Sequence, residues 1–174
     1  MSVVRVVLPI AIVIFAGLLA ALPWGLASAP QSTLPMLVAA LVYLWNVRRP
    51  GAVPHVAAFV VGIGLDAVGQ GPLGHWPLVF LAASACAALA RDLFRTLDSR
   101  HVLVSASAYL AAMSVLIAFA WSFQSLFDFT PADTGGLLAA LAVSVVTYPL
   151  LGSLVAGLEA ATASDGDARA MRAR

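Results

Sequence analysis

Val102-Leu-Val-Ser-Ala-Ser-Ala-Tyr-Leu-Ala-Ala-Met-Ser-Val-Leu-Ile-Ala-Phe-Ala-Trp-Ser-Phe-Gln-Ser-Leu-Phe127 runs for 26 residues without a charged side chain. Coiled as an α-helix at about 1.5 Å per residue, it reaches past the ~30 Å of a bilayer's hydrocarbon. It has no polar stripe of the kind that a helix on a water-soluble domain keeps facing solvent. The surrounding chain has the same character: of 174 residues 62% are hydrophobic and 10% charged, and the mean hydropathy is +1.00. A soluble domain carries about a quarter charged residues. The sequence therefore predicts an all-α integral membrane protein.

Working outward, polar punctuation marks six apolar stretches, at about 6–27, 32–47, 53–68, 75–90, 102–127 and 131–158. The second, third and fourth are short for a full crossing, which calls for local thinning or for packing against longer neighbours. The first could pass for a signal peptide, with Arg5 ahead of it and Ala27-Ser28-Ala29 behind. Its length exceeds the roughly 7–15 residues of a secretory apolar region, so it is expected to stay as a helix.

Arginine placement turns these stretches into a topology. Arg5 precedes the first, Arg48 and Arg49 follow the second, Arg91, Arg95 and Arg100 follow the fourth, and Arg169, Arg172 and Arg174 close the chain. The alternate connections, 28–31, 69–74 and 128–130, hold no Arg, and the chain has no Lys. By the positive-inside rule this predicts six transmembrane helices with both termini cytoplasmic. Trp24, Trp76 and Trp121 would then mark the outer interface, and Tyr43 and Trp45 the inner one.

Local signals refine the picture. Thr130, Pro131 and Asp133 form a capping-box start for the last helix, and Pro149 within it predicts a kink. Arg91 to Asp98 should continue the fourth helix along the membrane surface, with Asp92, Arg95 and Asp98 at pairing distance. The chain divides into a transmembrane domain over 1–158 and a cytoplasmic tail over 159–174, expected to be disordered.

Candidate chemistry is sparse. No basic, aromatic-interleaved patch suggests nucleic acid, and Cys86 alone offers no disulfide or thiolate cluster. Gly62-Ile63-Gly64-Leu65-Asp66 is close to the Gly-x-Gly-Asp of intramembrane aspartyl proteases, but it has one residue too many and no second embedded carboxylate to share a proton. Gly-x-Ser-x-Gly is absent. His55 has no second ligand at metal-binding spacing on its helix, so it is expected to be an interfacial residue. The expectation is a non-enzymatic protein with no catalytic residue, no cofactor and no metal site.

Asp66 is the exception among the eight acids, because it falls at membrane depth at the C-terminal, negative end of a helix. Something should offset that cost. Either the N–H groups of Val68 to Gly71 cap it locally, or a donor on a neighbouring helix or partner does; His75 and Trp76, across the Gly-rich turn, are within reach. Small residues also recur four apart, at Ala16 and Ala20, Ser84 and Ala88, Gly152 and Ala156, and Ser153 and Gly157, where they favour close helix packing within the chain.

Leu34-Pro35-Met36-Leu37, Tyr43-Leu44-Trp45, Arg48-Arg49-Pro50, Gly62-Ile63-Gly64-Leu65-Asp66 and Gly71-Pro72-Leu73-Gly74-His75-Trp76, in that order, resemble the rod shape-determining protein MreD family. Met36 departs from the pattern, since many members carry an acid after the proline, and the first and last two spans carry no matching motif. The resemblance implies a multi-pass component of the bacterial inner membrane in the cell-elongation machinery. Its role would be rod-shape determination and lateral peptidoglycan synthesis, by binding MreC and, through it, the MreB filament and the RodA–PBP2 synthase. The Pro50–Trp76 hairpin, and within it Gly62, Gly64, Asp66, Pro72, Gly74 and Trp76, is expected to receive MreC. The resemblance also implies a fold similar to the substrate-binding subunits of energy-coupling-factor transporters. That supplies the alternative: a vitamin-like small-molecule-binding subunit whose first helix docks a coupling protein through Ala16 and Ala20.

Overall fold

A computed structural model describes residues 3–22, 33–69, 72–96, 102–128 and 134–172. They form six α-helices and, among the described residues, no strand: α1 (Val3–Ala21), α2 (Thr33–Arg48), α3 (His55–Gly69), α4 (His75–Thr96), α5 (Val102–Asp128) and α6 (Thr134–Arg172). Each overlaps one of the six apolar stretches. Three contain segments long and apolar enough to cross a membrane, His75–Phe94, Val104–Leu126 and Leu138–Ala161. The apolar parts of the other three, Val6–Ala21, Thr33–Arg48 and His55–Gly69, are shorter, about 22–24 Å at 1.5 Å per residue.

The bundle is organised around α2. From Val38 to Asn46 every residue of this helix is buried, as a helix apolar on all sides requires. The helices α1, α3, α4, α5 and α6 follow one another around it, with α1, α4 and α6 packed directly on it, and the ring closes only lightly between α6 and α1. Tyr43 and Trp45 are consequently 2% and 1% exposed. This corrects their expected place in an interfacial belt: both are core residues, because the helix that carries them is enclosed.

The outer surface is hydrocarbon. Phe15 and Leu18 on α1, Val56 and Val60 on α3, Leu89 on α4 and Val146 and Leu150 on α6 are all well exposed, which water penalises and a bilayer does not. Trp121 is also exposed. α1 and α3 approach so closely that a Cβ added at Gly17 would lie 2.4 Å from Val61 Cγ1. Of the small-residue pairs, Ser84 is buried against the core, whereas Ser153 and Gly157 face outward.

At the chain's C-terminal side α6 runs on to Arg172, past Glu159, where a disordered tail was expected. Ala160, Ala161, Ala163, Ala168 and Ala170 are strong helix formers following an established helix, so propagation outweighs the polar composition. α4 continues past Arg91 as far as Thr96, in keeping with its expected extension. Pro149 lies inside α6, where it removes the N–H that would bond Val145. Trp24, Leu97, Asp98 and the capping residues Thr130, Pro131 and Asp133 lie outside the described residues.

Candidate functional site

In the hairpin from α3 to α4 the two helices meet backbone to backbone. Gly62 sits where α3 meets the first turn of α4: a Cβ built on it would lie 2.4 Å from Pro77 N and 2.6 Å from Pro77 Cα. Backbone therefore touches backbone, and only glycine permits it. One turn further along α3, Asp66 is 3% exposed. Its Oδ2 accepts the Gly74 N–H at 2.6 Å and its Oδ1 the Trp76 N–H at 3.1 Å.

Those bonds explain how a carboxylate is tolerated at the negative end of α3. It lies equally at the positive end of α4, whose first N–H groups lack intrahelical partners. All of those donors are accounted for. His75 N–H bonds the Pro72 carbonyl at 3.2 Å, Trp76 N–H bonds Asp66, Pro77 has no N–H, and Leu78 N–H bonds the Gly74 carbonyl at 3.2 Å. Gly74 turns the chain at φ +99°, a conformation that side chains rarely adopt. Asp66 thus acts as a cap across the turn, its two oxygens accepting from Gly74 and Trp76; Gln70 and Gly71, two of the residues expected to cap it locally, lie outside the described residues.

Five of the six expected partner-binding residues, Gly62, Asp66, Pro72, Gly74 and Trp76, come together here, and their bonds hold the hairpin. Gly64 stands apart. It is exposed, and a Cβ added there would meet nothing within 4 Å. Around it on α3 lie the exposed side chains of Val56, Phe59, Val60, Ile63 and Val68. Behind the turn, His75 is buried, its ring edge-on to Trp76 at 4.8 Å and 5.3 Å from Phe123 of α5. His55 is exposed at the start of α3. Among the described residues no three of His, Cys, Asp and Glu converge on a common point.

At the opposite end of the hairpins lies a second polar junction that the sequence did not single out. Asn46, 4% exposed near the end of α2, donates to Ser84 Oγ of α4 at 3.3 Å, and its Oδ1 accepts the Val53 N–H ahead of α3 at 3.3 Å. Arg91 of α4 donates to the Asn46 carbonyl. Arg48 donates to the Gly152 carbonyl of α6 at 2.9 Å and pairs with Glu159 at 3.7 Å. One asparagine in a short apolar helix was the available signal, since a buried amide demands partners.

Compared with known proteins, the chain matches no family model, no curated protein and no solved structure. The geometry alone describes a helical membrane bundle whose polar groups tie helix ends together.

Proposed function

We propose that the chain is a non-enzymatic, six-span component of a bacterial inner membrane, with both termini cytoplasmic, that serves the cell-elongation machinery by binding MreC, as the MreD-like motifs suggest. The observation that carries this is the division of labour on α3. Asp66, Gly62 and Gly74 fix the hairpin internally, while Gly64 leaves a shallow notch in an exposed apolar stripe. A glycine inside a helix costs up to ~1 kcal/mol relative to alanine, and at this position it relieves no contact among the described residues. A notch of that kind fits the flank of a single transmembrane helix, as small residues do in helix pairs. The distribution of all nine Arg over alternate connections supports the six-span count.

Co-expression with the MreC of the same genome and purification in detergent tests the proposal. The wild-type chain is expected to retain MreC, and Gly64→Leu, which fills the notch without touching the hairpin, is expected to lose most of it. Equal recovery of MreC with both proteins would sink the assignment. Normal rod shape combined with loss of vitamin uptake after depletion would point to the transporter subunit instead.

A further inference from the structure

Where α2, α5 and α6 meet, three tyrosines and two serines stand together inside the bundle. The rings of Tyr43 and Tyr109 are 5.8 Å apart and nearly edge-on, and those of Tyr109 and Tyr148 are 4.4 Å apart. The Tyr109 hydroxyl donates to the Ser144 carbonyl at 3.1 Å, the Ser144 hydroxyl to the Leu141 carbonyl at 2.8 Å, and Tyr148 Oη pairs with Ser105 Oγ at 3.0 Å. The Tyr43 hydroxyl differs from these. It is buried and has no hydrogen-bond partner among the described residues. A buried hydroxyl that bonds nothing is a net cost, which a phenylalanine would avoid.

We infer that this cluster is a binding site for the ester carbonyl of a membrane glycerolipid, with Tyr43 as the donor. The chemistry of the cluster selects the ligand: aromatic faces and hydroxyls, none of the five side chains charged, suit a neutral acceptor. The location selects its source. Tyr148 lies one helical turn from Gly152, whose carbonyl holds Arg48, and Arg48 also pairs with Glu159. Measured along the helices, Tyr148 is therefore about 6 Å from Gly152 and Tyr43 about 8 Å from Arg48, a turn or two inside a charged rim. That is the depth of the polar interfacial layer beneath the headgroups, where a lipid's ester groups lie. Tyr148 and Ser105 are only half-buried, so the side of the cluster nearest the bilayer lies between α5 and α6. This site is independent of the proposed MreC surface on α3.

The test uses the full chain, delipidated in detergent, and its thermal unfolding with two added probes: an ester-linked dioleoyl phosphatidylcholine and the matched diether lipid, which lacks the carbonyls. Without lipid, Tyr43→Phe is expected to unfold at the same temperature as wild type or above it. Adding the ester lipid should raise wild type by on the order of 2–4 °C and leave Tyr43→Phe unchanged, reversing their order, while the diether should shift neither by that amount. Tyr109→Phe, which loses a protein–protein bond, is expected to be less stable in every condition yet still respond to the ester lipid. Equal shifts with ester and ether lipids, or an ester response kept by Tyr43→Phe, would overturn the site. So would a wild type already more stable than Tyr43→Phe without lipid, the mark of a structural water on Tyr43.

Discussion

The two ends of the central hairpins solve one problem with opposite chemistry. At the Pro72 turn a carboxylate, Asp66, collects backbone N–H groups at the start of α4; at the Pro50 turn an amide and a guanidinium, Asn46 and Arg91, engage backbone and side-chain groups at the end of α2. The two charged groups sit at helix poles of opposite sign, the Asp66 carboxylate at the N-terminus of α4 and the Arg91 guanidinium at the C-terminus of α2. The difference lies in redundancy. Asp66 alone serves two donors, whereas the Pro50 end spreads its bonds over Asn46, Ser84, Arg91 and Arg48. Damage should therefore be concentrated at the first end and diluted at the second.

The largest expected effect follows directly. Asp66→Ala strands the Gly74 and Trp76 N–H groups at a part-buried turn, at about 1–3 kcal/mol each, so a loss of about 4 kcal/mol is expected in reversible unfolding of the detergent-solubilised protein. Asp66→Asn keeps one acceptor oxygen and should lose about half of that. A loss below about 1 kcal/mol for Asp66→Ala would show that water replaces the carboxylate and that the turn is not held from α3.

Next is Gly62→Ala, at about 3 kcal/mol, because the obstructing atoms are Pro77 backbone and no rotamer change relieves them. At the Pro50 end Asn46→Leu is expected to cost about 2 kcal/mol, through the unmet Val53 N–H. The same denaturation series ranks the three. An Asn46 variant as damaging as Asp66→Ala would abolish the contrast between the ends.

Much of this architecture is visible before any coordinates. Long uncharged runs announce helices whatever their packing, which is why all six apolar stretches overlap α1 to α6. Asp66 stood out because a carboxylate at that depth must find donors, and Trp76 was named as within its reach; that the contact runs through backbone N–H groups depends on the turn's geometry, not on residue type. Tyr43 and Trp45 misled because an aromatic with one polar atom suits an interface and a core equally well. Only the enclosure of α2 decides between them. Gly62 and Gly64 are alike in sequence, but two residues along a helix rotate a side chain by about 200°. One glycine therefore meets Pro77 while the other meets nothing. Past Glu159, helix propagation from α6 outweighs polar composition.

That pair of glycines yields the smallest stability effect and the most direct functional contrast. Gly64→Ala removes a flexible residue from the middle of an exposed helix face and adds a methyl with no neighbour within 4 Å among the described residues. Its folding stability should rise, by up to ~1 kcal/mol, where Gly62→Ala falls. Helix propensity acts alone at Gly64, while at Gly62 the collision with Pro77 overwhelms it. If both substitutions destabilise the isolated chain, the outer face of α3 is covered by something within the fold, and the notch is not available to a partner. If Gly64→Ala stabilises the isolated chain yet reduces MreC recovery from the co-purified complex, the glycine is retained for what lies outside the bundle.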